Sequence, residues 1–144
     1  MKCRTCGNQM KREVIELRTG VGDYVVVSRD RRVDYCEACK DYEMGIRDSQ
    51  ELSLKAAIVV LRDQGVRHTP DLFKHVRKIL GMTQAELAKK LDVRQETVSR
   101  WEKEQDAIQV CTWGALAELV CEAHDSLTCA LSDFSIESPS RRTG

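Results

Sequence analysis

Two short arrangements in this chain carry side chains able to do chemistry. The first is Cys3-Arg-Thr-Cys6-Gly7 together with Cys36-Glu-Ala-Cys39, two C-x-x-C pairs separated by an insert the size of a β-ribbon. Four thiols at this spacing are the ligand set of a tetrahedral structural zinc site. The two-residue gap bends the backbone around the metal so that amides point at the sulfurs, and Gly7 gives the first bend its freedom. A redox C-x-x-C would instead open a helix in a βαβ unit, which the flanking residues do not form. The expected cofactor is one Zn2+ per chain, held by Cys3, Cys6, Cys36 and Cys39. Four thiolates leave no open coordination position, so this metal would hold a fold together and would not catalyse. The second arrangement is Arg94-Gln-Glu-Thr-Val-Ser-Arg-Trp-Glu102, with two arginines, a glutamine and two hydroxyls on one short segment. Arginine can engage both guanine O6 and N7, glutamine the corresponding edge of adenine, and glutamate can accept from cytosine N4.

The flanking residues must place these groups. Between the cysteine pairs lie Val14-Ile-Glu-Leu17 and Tyr24-Val-Val-Val27, β-favouring runs broken by Gly20 and Gly22. A helix is expected from Asp48 or Ser49 to Gln64, with Leu54, Ala57, Ile58 and Leu61 at helical spacing, as a connection between two domains. Thr69-Pro70-Asp71 opens another helix, whose apolar face carries Leu72, Val76, Ile79 and Leu80 and which Gly81 ends. Thr83-Gln-Ala-Glu86 is a capping box that starts the next helix at once. Ala88 gives this helix a small residue where the following one, with Val98 and Trp101 facing inward, must cross it. A further helix is expected over Thr112–His124 on Leu116, Leu119, Val120 and Ala123, and the end of the chain reads as a frayed tail.

Composition narrows the function. The chain has 144 residues and no net charge, with 23 Lys/Arg against 23 Asp/Glu, so nucleic-acid binding cannot be argued from bulk charge. Only residues 66–104 are basic, with 9 against 6. No run of about 18 apolar residues occurs and Met-Lys leads straight into Cys3, so the expectation is a cytoplasmic protein without a membrane span or signal peptide. Cys111, Cys121 and Cys129 are expected as small apolar residues on helices, and His68, His75 and His124 as surface or cap residues. No nucleophile–base spacing, glycine-rich phosphate loop or open metal site is recognisable, so an enzyme is not expected. The fold class expected is α+β, a small zinc ribbon joined by a helix to an all-α domain.

The stretch MTQAELAKKLDVRQETVSRWEKE resembles the helix-turn-helix of the XRE and phage-repressor family. That resemblance implies that Gln84 bonds a DNA phosphate and that Arg94, Gln95, Glu96, Ser99 and Arg100 project into the major groove. Two positions depart from the family pattern: Arg94 stands where a Ser or Thr usually caps the third helix, and Glu104 where a glycine usually follows. Together with the ribbon beginning MKCRTCG, the order and spacing of residues 1–124 resemble the MqsA-type antitoxins, also described as YgiT-type zinc finger/helix-turn-helix proteins. The resemblance implies a four-cysteine zinc ribbon over 1–47, a linker helix over 48–68, a DNA-binding and dimerisation domain over 69–124 and a partly disordered extension over 125–144. It further implies a homodimer that represses its operon at a palindromic operator, and a ribbon that neutralises a RelE-like, mRNA-cleaving toxin. The alternative is a stand-alone XRE-family regulator whose ribbon binds another protein or a ligand.

Overall fold

The computed structural model of the chain describes residues 1–29, 31–123 and 134–137. The fold is α+β: a β-rich N-terminal part with clustered cysteines, followed by helices. Strands Lys11–Val14 (β1), Leu17–Val21 (β2), Tyr24–Ser28 (β3), Arg32–Cys36 (β4) and Asp41–Glu43 (β5) precede helices Ile46–Arg62 (α1), Pro70–Ile79 (α2), Gln84–Leu91 (α3), Gln95–Glu102 (α4) and Val110–Glu122 (α5). A last strand, Phe134–Glu137 (β6), follows. The strands form two antiparallel sheets, β1-β4-β5 and β2-β3-β6.

The β2–β3 hairpin pairs Val21 with Tyr24 across a two-residue turn, and Gly22 takes φ +61°, the left-handed conformation that such turns need. Its inward residues, Leu17, Val21 and Val26, join Val33 of β4 and the helices in one apolar cluster. The tip of the hairpin lies directly on α2. A Cβ on Gly22 would come within 3.3 Å of the Leu72 Cα, tighter than an ordinary contact, so a side chain there would press α2 outward as well as strain the turn. Two hydrogen bonds fix the contact: the Gly22 amide donates to His75 Nδ1 at 3.0 Å, and the Arg67 amide to the Tyr24 hydroxyl at 2.7 Å.

Helix α1 departs from the expected connector. Ala56, Ala57, Ile58 and Val60 are wholly buried, which puts apolar residues on more than one face of its second half. It packs against β2, β3, β6, α2 and α5, and is therefore the centre of the core and not a spacer between two domains.

The expectation of a frayed C-terminal tail is corrected over Phe134–Glu137, which pair in register with Val25–Ser28 of β3. Phe134 is buried beneath the Lys55 ammonium, 5.9 Å from the ring centroid, and Glu137 pairs with Arg18. These contacts give the segment a hydrophobic anchor and a ladder of backbone hydrogen bonds. The rest of 125–144, together with Cys129 and His124, lies outside the described residues. Among the described residues no helix is long and apolar enough to cross a membrane.

Candidate metal centre and nucleic-acid interface

The cysteine pairs meet at one end of the β1-β4-β5 sheet, on the loop before β1 and the turn between β4 and β5. All four Sγ atoms lie within 4.8 Å of one another, with Cys3–Cys39 at 3.3 Å and Cys6–Cys36 at 3.4 Å. A tetrahedral zinc with Zn–S bonds of about 2.3 Å has sulfur–sulfur edges of about 3.8 Å, so the cluster has the size such an ion needs.

The two pairs are built alike. Cys3 receives the amides of Cys6 and Thr5, and Cys36 those of Cys39 and Ala38, the same offsets in each case. The residue after each pair, Gly7 at φ +76° and Lys40 at φ +60°, turns the chain into the left-handed region. Sequence alone flagged only the glycine. The Cys6 amide, ahead of that of Thr5 and the Cys39 thiol, lowers the Cys3 thiol to about 6, and Cys36 is lowered chiefly by the Cys39 amide. Cys39 is pushed up to about 12, first by the Cys3 thiol and then by Cys36. Cys6 is also raised, because the Cys36 thiol and burial outweigh the Asn8 amide. Four sulfurs this close cannot all ionise by themselves. A divalent cation relieves that conflict and takes all four as thiolates, so the donor set fits a structural zinc.

The second site is assembled on α2, α3 and α4. Thr83 caps α3 through its hydroxyl, which accepts from the Glu86 amide at 3.1 Å, and the Glu86 carboxylate accepts from the Thr83 amide at 3.3 Å. Ala88 is buried where α3 meets α4, and Val98 and Trp101 bury the inner face of α4. Trp101 packs edge-on to Phe73 of α2, which meets Trp113 of α5 on another side. Beneath α4, Arg77 of α2 reaches both carboxylate oxygens of Glu102 at 2.9 Å and donates to the Met82 carbonyl at 2.8 Å. This buried bidentate pair fixes the end of α4 against α2 and the start of the turn into α3. Sequence reading missed it, because Arg77 stands 25 residues before Glu102 and looks like one more basic residue on an amphipathic helix.

Helices α2, α3 and α4 end in the same way. Within two residues past each, the chain takes a positive φ: Gly81 at +70°, Asp92 at +56° and Glu104 at +63°. Each time, the next amide bonds back to a carbonyl in the last turn of the helix: Met82 to Arg77, Val93 to Ala88 and Gln105 to Arg100. These are Schellman turns, which end a helix abruptly and set the angle to the next segment.

The outer face of α4 is polar. Gln84, Gln95, Glu96, Ser99 and Arg100 line one shallow depression of about 410 Å3. Arg94 stands apart from that lining, exposed at the N-cap of α4, and makes no side-chain cap bond. Lys103 and Gln105, which were not singled out from the sequence, also line the depression. Lys103 follows Arg100 by about one helical turn, so spacing would have found it, whereas Gln105 is brought there by the Glu104 turn. Arg100 lies 3.9 Å from Asp106, and both side chains are at least half exposed.

Residues 73–119 match the helix-turn-helix family model. The chain carries a DNA-binding helix-turn-helix domain of the XRE type, the kind found in transcription regulators. No curated protein matches the chain.

Proposed function

We propose that this chain is a sequence-specific, homodimeric DNA-binding repressor that also acts as the antitoxin of a toxin–antitoxin pair. The observation that carries the DNA-binding reading is α4, with Val98 and Trp101 buried and Gln95, Glu96, Ser99 and Arg100 gathered on its outer face. In this reading α4 enters the major groove, Gln84 holds a phosphate at the start of α3, and Arg94 reaches the backbone from the N-cap. The four-cysteine ribbon is the toxin-binding part, held in shape by zinc. That assignment is supported by the order of ribbon before helix-turn-helix and by its resemblance to the MqsA-type antitoxins.

The test begins with a duplex selected by the wild-type protein from a random-sequence library. Arg100→Ala is expected to cost about 1–3 kcal/mol on that duplex, relaxing preference mainly at one base pair per half-site, and to change binding to a scrambled duplex little. Fluorescence anisotropy on both duplexes measures this. Equal weakening on the two would make Arg100 a phosphate contact and pass base reading to Gln95 or Glu96. The antitoxin part is tested separately, by pull-down of the product of any toxin-sized reading frame beside the gene. Cys36→Ser should lose that partner and keep the selected duplex.

A further inference from the structure

We propose that Asp106 is a positioning residue for DNA recognition, which holds the Arg100 guanidinium by one nitrogen and leaves its remaining edge to read a base. This rests on the reading of α4 as the recognition helix.

The geometry begins with the turn that ends α4. Glu104 at φ +63° reverses the chain, and the Gln105 amide closes onto the Arg100 carbonyl at 2.9 Å. Asp106 is thereby returned alongside Arg100, with its Oδ2 3.9 Å from Nη1. A guanidinium has five N–H donors in a planar fork. With Nη1 turned toward the carboxylate, the edge formed by Nε and Nη2 stays free, and one such edge is what guanine O6 and N7 require. An unsupported exposed arginine samples many rotamers and meets phosphates as readily as bases, whereas a carboxylate beside it restricts the fork and offsets its charge toward the DNA backbone. In a chain without net charge, this favours discrimination over non-specific affinity. Asp106 is half exposed and stands outside the apolar core, so the fold does not depend on it.

The sign of one substitution decides the matter. Asp106→Asn should weaken or leave unchanged the selected duplex, tighten the scrambled one, and so cut discrimination by about two- to fivefold, the scale of an exposed ion pair. The loss should fall at the base pair that Arg100→Ala relaxes, and it should vanish in the Arg100→Ala background. In the DNA-free protein, NMR relaxation of the Arg100 Nε–H should report a more mobile side chain in the variant. Equal tightening on both duplexes would make Asp106 a simple repulsive charge, and an undiminished effect in the Arg100→Ala background would sever it from Arg100. Either result overturns the proposal. Arg100→Ala leaving discrimination intact would also overturn it, by making Arg100 a phosphate contact; only Gln95→Ala and Glu96→Ala leaving discrimination intact as well would remove the recognition-helix reading beneath it.

Discussion

His75 is the side chain through which the β2–β3 hairpin grips the first helix of the DNA-binding domain. Its Nδ1 accepts the Gly22 amide, so that nitrogen must be bare and the ring neutral with its proton on Nε2. Burial first, and the charge of Lys78 second, lower its pKa below the usual 6.5. As pH falls through 6.5 the unfolded chain takes up a proton that the folded chain still refuses, and stability therefore declines until the folded pKa is passed. Above 6.5 this group adds no pH dependence. His75→Asn keeps an acceptor near Nδ1 and removes the ionisation. Urea titrations of both proteins on either side of pH 6.5 should show a decline on acidification that is smaller in the variant, and an unchanged decline would assign it elsewhere. At this scale the sequence was most legible where chemistry is declared by residue type and close spacing, as in the C-x-x-C pairs and the polar face of α4. It was opaque where a partner is distant. Nothing local marks Arg77 as the partner of Glu102, or Gly22 as the donor to His75.

Helices follow the same rule. Thr69 and Thr83 cap α2 and α3 through their own hydroxyls, and those starts were readable. Helices α1 and α5 begin after Gly45 and Gln109, which make no side-chain cap bond, so they start two residues or more before the places where a capping side chain or the apolar pattern put them. Ends are harder, because a left-handed residue is signalled only when it is glycine. Gly81 marks a stop in the sequence, while Asp92 and Glu104 take the same conformation with side chains attached. A left-handed L-residue costs about 1–2 kcal/mol, least for Asp and Asn, and glycine returns part of that through its freedom in the unfolded chain. Glu104→Gly should therefore stabilise the protein by about 0.5–1 kcal/mol, with Asp92→Gly giving less. Thermal melting should show Tm raised by about 2–4 °C per kcal/mol, and a lowered Tm would mean that the Glu104 side chain makes contacts worth more than the strain.

For the molecule as a whole, the strands serve two buried clusters, and β4 reaches both. Cys3, Met10 and Cys36 form their own small buried cluster, whereas Leu17, Val21, Val26 and Val33 sit in the main core with the helices. Chelating the metal should accordingly strip amide protection from the cysteine loops, β1 and β5, while β2, β3, β6 and the helices keep theirs. Hydrogen exchange with and without chelator checks this, and loss across both sheets would make the metal a keystone of the entire fold. The sequence hid this division because contiguous residues 1–40 looked like one ribbon, and because four residues of β6 are too short a segment to announce a strand. That last strand gives the fold a schedule. Its register sets Phe134 opposite Ser28, more than a hundred residues earlier in the chain. At ribosomal speeds of about 5–20 residues per second, β3 waits about 5–20 s after its own synthesis for the neighbour that covers it. Throughout that wait its hydrogen-bonding edge is open to any other extended segment, including the same strand on a chain growing from the next ribosome.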